Sequence, residues 1–281
     1  MEKLMNSAAE AVEGNINGGK AKADLPLGKM ILLGIMAGAF IALGGAASNV
    51  AVHDIANVGV ARLVAGTIFP VGLMLIVLVG GELFTGNCMI MMAVLDKKTT
   101  VAKMCRNLVV VYLSNLVGGL IIDTLIFFSG QLNYTNGALG AYSIKVAYGK
   151  AMIAPGAAVA SGILCNVLVC VAILAAAAAR DVAGKIFAVF FPILAFVVCG
   201  FEHCVANMFY IPVGMMAATN PAYVAKAEEL YGMTAEQCAS ITVAQSLQNF
   251  IPVTIGNIIG GAVFVGVMCF LIYRKDWNAK K

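Results

Sequence analysis

The sequence predicts an all-α polytopic membrane protein with six transmembrane helices, laid out as two inverted three-helix repeats in which helices 2 and 5 are broken. Three observations predict it. The 281 residues are 61% hydrophobic and only 11% charged, and a mean hydropathy of +0.93 places most of the chain in lipid. Apolar runs of the roughly 20 residues needed to cross a hydrocarbon layer recur along it. Finally, the pattern G-x-E-x-x-x-x-N occurs twice, each time inside an apolar stretch too long for one helix and too short for two.

The elements follow in order. Residues 1–26 form a polar N-terminal tail whose apolar residues are scattered, so no cleavable signal sequence is expected. Its stretch 2–24 reads either as an amphipathic gate at a pore mouth or as an unstructured tail. The first span is 30–47. The second stretch, 63–95, carries Phe69-Pro70 and then Gly80-Gly81-Glu82-Leu83-Phe84-Thr85-Gly86-Asn87. Residues 108–128 form a third span, nearly free of charge apart from Asp123. The fourth, 151–179, begins just after Lys150. The fifth stretch, 186–218, repeats the pattern with Phe191-Pro192 and Gly200-Phe201-Glu202-His203-Cys204-Val205-Ala206-Asn207. Residues 250–273 complete the channel domain, 27–273, and 274–281 form a short tail.

The duplication reaches beyond the two patterns. Asn107, Asn115, Gly118 and Gly119 have the same spacing as Asn249, Asn257, Gly260 and Gly261, and Gly34-Ile35 matches Gly162-Ile163. The repeats are therefore about 27–129 and 150–273. Three spans is an odd number, so the second copy enters the membrane from the opposite face. Backbone breaks at mid-membrane depth persist only where they line a cavity or are buried in protein. Asn87 and Asn207 are placed to N-cap the half-helices that start beyond the breaks.

Fourteen of the eighteen Lys and Arg residues fall in 1–29, in 97–106, in 180–185 and after Tyr273. A six-span layout puts all of these on one side, and the positive-inside rule makes that side cytoplasmic. The expected location is the inner (cytoplasmic) membrane with both termini inside. The net charge of +4 thus reflects topology and gives no reason to expect a nucleic-acid partner. Eight cysteines form no C-x-x-C pair, and with only two histidines no metal site, no cofactor and no intramembrane enzyme chemistry is expected.

An ionisable side chain in mid-span costs roughly 2.5–3.5 kcal/mol on insertion scales and so needs a reason. Glu82, Glu202 and His203 are in that position. His203 sits in a break, where its imidazole can face a pore and exchange a proton near neutral pH. Thr85 offers a hydroxyl from the opposite break. The matched pair Glu82 and Glu202 reads as structural, tying the breaks to backbone or to Asn side chains such as Asn166 and Asn257. Leu73, Leu83, Phe69 and Phe196 lie close enough to the breaks to form hydrophobic seals, although helical spacing alone makes them ordinary packing residues. Lys150 reads by default as an interfacial lysine.

These motifs carry a resemblance. Gly81-Glu82-Leu83-Phe84-Thr85, Gly162-Ile163-Leu164-Cys165-Asn166, Gly200-Phe201-Glu202-His203 with Ala206-Asn207-Met208, and Ile251-Pro252-Val253-Thr254-Ile255-Gly256-Asn257 resemble the formate/nitrite transporter family from about residue 27 to 273, with its hydrosulfide-conducting members closest. The resemblance implies an aquaporin-like protomer with its own pore, assembled as a homopentamer in the bilayer. It implies a central site of Thr85 and His203, constrictions of Leu73 with Leu83 and of Phe69 with Phe196, and Lys150 attracting anions in the outer vestibule. Asn166 and Glu202 match its supporting polar residues. Gly86-Asn87 follows the threonine where formate channels often carry small hydroxyl residues. The expected cargo is a small monovalent weak-acid anion such as hydrosulfide, formate or nitrite. The competing expectation is an aquaporin-like channel for neutral solutes, for which the paired Asn-Pro-Ala signature is missing.

Overall fold

A computed structural model describes residues 4–274, and its described residues form an all-helical bundle. Six helices of 18 to 31 residues are long and apolar enough to cross a membrane.

Helix α1 (Ala8–Ala23) starts at a reciprocal cap in which the Ser7 hydroxyl accepts from the Glu10 amide and the Glu10 carboxylate accepts from the Ser7 amide. Its buried Val12 and Ile16 pack with Met89, Met92 and Val265. Helix α2 (Leu27–Val52) is the first span. The second stretch divides into α3 (Val58–Ile68) and α4 (Val71–Val79), separated at Pro70, followed after a break by α5 (Phe84–Asn87) and α6 (Ile90–Leu95). Helix α7 (Val101–Ser129) begins before its apolar run because Thr100 caps it through the Lys103 amide, so its first turns carry charge outside the lipid.

The second half mirrors this order. Helix α8 (Ala138–Ala151) stands where α1 stands in the first half. The fourth span, α9 (Pro155–Ala178), restarts at a proline in its first turn, where the missing N–H costs nothing. Helix α10 (Val182–Cys199) runs through Pro192 without separating, and α11 (Cys204–Ala217) follows the second break. After α12 (Pro221–Tyr231) and α13 (Ala235–Ala239) the last span comprises α14 (Val243–Ile258), a π-helical stretch Ile259–Val267, and α15 (Met268–Tyr273).

Small residues set the closest approaches, as expected where lipid supplies no hydrophobic drive between helices. A Cβ on Gly38 would collide with the Asn115 carbonyl, and one on Gly256 would collide with that of Val159. α2 therefore lies against α7, and α9 against α14, almost backbone to backbone. Large apolar side chains such as Leu113, Leu125, Phe187 and Phe191 are left on the outside.

Candidate functional site

Each break begins where a helix ends on a glycine with positive φ: Gly80 at +105° after α4 and Gly200 at +72° after α10. The two then run toward each other in the bundle interior. Thr85 Oγ1 and His203 Nε2 meet 2.9 Å apart, with the two residues 0% and 3% exposed. The ring's other nitrogen, Nδ1, accepts the Ala206 amide at 2.9 Å. That bond fills the Nδ1 lone pair and leaves the ring proton on Nε2, so Thr85 Oγ1 accepts from the histidine and its own hydroxyl proton is free for a further acceptor.

The asparagine cap expected at Asn87 and Asn207 is not what forms. Leu83 occupies the N-cap position of α5 with no side-chain bond, and His203 caps α11. The first amides beyond the breaks are instead taken from outside: Phe84 N–H by Asn115 Oδ1 at 3.0 Å and Cys204 N–H by Asn257 Oδ1 at 2.9 Å. The same two amides donate back, Asn115 to the carbonyls of Gly34 and Glu82, and Asn257 to those of Gly162 and Glu202. Asn is suited to this because one planar group offers both a donor and an acceptor.

Asn87 and Asn207 hold carboxylates. Glu82 Oε2 accepts from Asn87 Nδ2 at 2.6 Å, and Glu202 Oε2 from Asn207 Nδ2 at 2.7 Å and Asn249 Nδ2 at 3.0 Å. The carboxyl groups of Glu82 and Glu202 therefore bond Asn87, Asn207 and Asn249, and not Asn166 or the Asn257 side chain that the sequence reading named. Each also receives a lysine at 2.8 Å: Lys22 Nζ on Glu82 Oε1, and Lys150 Nζ on Glu202 Oε1. Lys150 is thus not a plain interfacial lysine, since its side chain is only 18% exposed. Asn166 performs a separate task, donating to the carbonyls of Thr85 at 3.1 Å and Asn257 at 2.6 Å.

Two cavities approach this centre from opposite ends. One, of about 770 Å³ on the α8 side, is lined by Phe69, Phe196, Lys150, Glu202 and His203 among others. The other, of about 360 Å³ on the α1 side, is lined by Leu73, Leu83, Lys22 and Asn87 and by the glycine face of α1. Phe69 and Phe196 meet edge to face with ring centroids 5.6 Å apart, and Phe196 stacks on the His203 ring at 6.0 Å. Leu73 and Leu83 are 2% and 3% exposed. Of the sequence-predicted residues, Phe69, Phe196, Lys150, Glu202 and His203 thus line one cavity and Leu73, Leu83 and Asn87 the other.

Sequence reasoning missed Lys22, and it used Asn107 and Asn249 only as markers of the repeat. Both asparagines lie in the carboxylate networks: Asn107 accepts from Asn87 at 2.8 Å and Asn249 from Asn207 at 2.7 Å, while each donates to the backbone carbonyl of its lysine. A signal for Lys22 was present, since it stands as far before Gly34 as Lys150 does before Gly162.

Comparison with known proteins places this geometry in context. A family model described as formate/nitrite transporter matches residues 9–271. A probable formate transporter of Methanothermobacter thermautotrophicus is 40% identical, over 91% of this chain and 92% of its own length. The formate channel FocA of Haemophilus influenzae is also 40% identical, over 74% of this chain and 73% of its own. Among solved structures, a pentameric formate channel with formate bound is 33% identical and superposes with a TM-score of 0.78, over 89% of this chain and 98% of that one.

Proposed function

The chain belongs to the formate/nitrite transporter family, and on that premise we propose that it is a pore for small monovalent weak-acid anions, with formate, nitrite and hydrosulfide as the cargo class. The observation that carries this reading is the buried Thr85–His203 contact, with Phe69 and Phe196 on one side of it and Leu73 and Leu83 on the other as the constrictions of the proposal.

A bare anion loses most of its hydration at an apolar ring, which is costly unless its charge is met or removed. In this mechanism Lys150 on one side and Lys22 on the other raise the local anion concentration, while Glu82 and Glu202 hold both ammonium groups at fixed positions. At the centre the free Thr85 hydroxyl proton bonds the anion, backed by the His203 Nε2–H that bonds Thr85 in turn. A proton taken from water in the cavity of entry, and returned to water on the far side, lets the species cross Phe69 and Phe196, and Leu73 and Leu83, in neutral form. Residues 27–273 form the channel domain of this reading. The α1 side is cytoplasmic because the basic clusters lie there, the protein sits in the inner membrane, and it assembles as a homopentamer with one pore per subunit, in keeping with the pentameric relative.

The test is flux in proteoliposomes, comparing formate, nitrite, hydrosulfide and glycerol across pH for the native chain and His203→Phe. Rapid weak-acid flux that is lost or changes its pH profile in the variant supports the proposal. Glycerol flux with no anion flux returns the reading to a neutral-solute channel.

A further inference from the structure

Four cations lie outside the basic clusters, namely Arg62, Lys145, Lys150 and Lys226, and the first three line the cavity on the α8 side. Two have evident partners. Lys150 is paired with Glu202, and Lys145 lies over the Tyr231 ring, 4.3 Å from its centroid. Arg62 differs. Its Nη1 donates to the Val198 carbonyl at 3.3 Å, in the last turn of α10, and among the described residues this is its one hydrogen bond and it has no carboxylate partner. The two acidic residues on the cavity wall, Asp54 and Glu202, are not paired with it.

The guanidinium, exposed on the cavity wall, also has a close neighbour beneath it. It lies over Gly200, and a Cβ at that position would overlap Nη1. At Gly80, the matching residue of the first break, the same position is open space. One helix-end carbonyl and one missing side chain therefore seat a guanidinium beside the break that carries His203, with its other N–H groups lacking a protein acceptor. A planar fork of this kind matches an anion that presents two oxygens in one plane, whereas an ammonium is a point charge that does not distinguish anion shape.

We propose that Arg62, seated on Gly200 and the Val198 carbonyl, is a selectivity site on the wall of the α8-side cavity for planar two-oxygen monoanions, the carboxylate and nitrite class, over hydrosulfide with its single acceptor atom. The proposal rests on the weak-acid pore reading and adds a preference within it. Hydrosulfide offers one acceptor atom, so it gains nothing from the second arm of the fork. Lys150 attracts both kinds of anion, and Arg62 ranks them.

The experiment measures formate and hydrosulfide flux in proteoliposomes carrying the full chain, native, Arg62→Lys and Arg62→Gln. Lysine keeps the charge and can still hold the Val198 carbonyl with one donor. It should leave hydrosulfide flux near native and lower the formate-to-hydrosulfide ratio about tenfold, the effect of losing one charge-assisted hydrogen bond. Glutamine should lower both fluxes and keep the ratio reduced. A native ratio in both variants, or equal losses of both anions in Arg62→Lys, overturns the site and leaves Arg62 as a clasp on α10. A native chain that carries neither anion removes the weak-acid premise itself, and this proposal falls with it.

Discussion

The two breaks, 80–87 and 200–207, share a frame and differ in their centre. In both, a glutamate is held by an asparagine within the break and by a lysine from a preceding helix, and an outer asparagine takes the first amide beyond it. The residues that differ are those at the axis. Leu83 stands opposite His203 in the alignment of the breaks, and Thr85 opposite Val205. Asn166 stands where the first repeat has Gly38, which has no room for a side chain. Lys22 donates to both Glu82 and Asn87, whereas Lys150 donates to Glu202, lies over the Tyr210 ring and leaves Asn207 Oδ1 without a partner among the described residues. The shared part satisfies exposed peptide groups at mid-depth, a need both halves have equally. The chemistry we propose is placed where the copies have diverged.

The largest test of that division is at the lysines. Lys150→Met should cost about 3–5 kcal/mol, because it leaves a buried carboxylate without its cation, read as a fall in thermal stability of the solubilised protein. Lys22→Met should cost less, since the Lys22 side chain is 36% exposed and water can replace it. Equal losses would mean that the two networks are interchangeable. Adding Glu202→Leu to Lys150→Met should recover part of the loss.

Asn166→Ala comes next. It strips the Thr85 carbonyl of its Nδ2 donor and leaves only the weaker Cys170 thiol at 3.5 Å, so a loss of about 1–3 kcal/mol is expected, with altered anion selectivity in the flux assay. A change in stability with native selectivity would assign Asn166 to the frame rather than to the centre. Thr85→Val keeps the shape and removes the acceptor of the His203 N–H, costing about 1 kcal/mol but most of the flux. The reciprocal Val205→Thr should leave flux near native; a comparable gain or loss there would contradict the asymmetry.

The smallest effect concerns α1, whose counterpart α8 carries no such surface pair. The Lys98 ammonium beside Glu13 holds its carboxyl below the usual range, and Glu13 in turn holds Lys98 above its own. The Glu13 contribution is present above the ordinary carboxylate pKa and is lost as pH falls through the lowered value. The Lys98 contribution is present below the ordinary lysine pKa and is lost as pH rises through the raised one. Docking of α1 should therefore be firmest near neutrality, by no more than about 1 kcal/mol for so exposed a pair. Hydrogen exchange of α1 against pH, native beside Glu13→Gln, measures it.

Much of this was legible in the sequence because a polar group in mid-span is expensive. Glu82, Glu202 and His203 stand out against apolar neighbours, and the repeated pattern around them gives the breaks and their inversion. α1 was not legible. Gly14, Gly18 and Gly19 each disfavour a helix by roughly 1 kcal/mol, and what compensates is the packing of Val12 and Ile16 on distant residues. α8 was hidden for the opposite reason, since its end at Ala151 abuts the fourth span and hydropathy alone merges the two. The partners of the asparagines depended on which helices touch. Arg62 gave no signal, because its meaning lies in the glycine beneath it.

The two wide cavities have an electrical consequence. If the chain is the pore proposed above, water and ions would enter both cavities, and most of a membrane potential would fall across the stretch between Leu83 and Phe196 rather than across the whole bilayer. An anion crossing it bare would gain or lose about 2.3 kcal/mol per 100 mV, whereas a neutral acid would feel nothing. Current and flux therefore part company here, and their ratio counts the charge that each passing molecule retains.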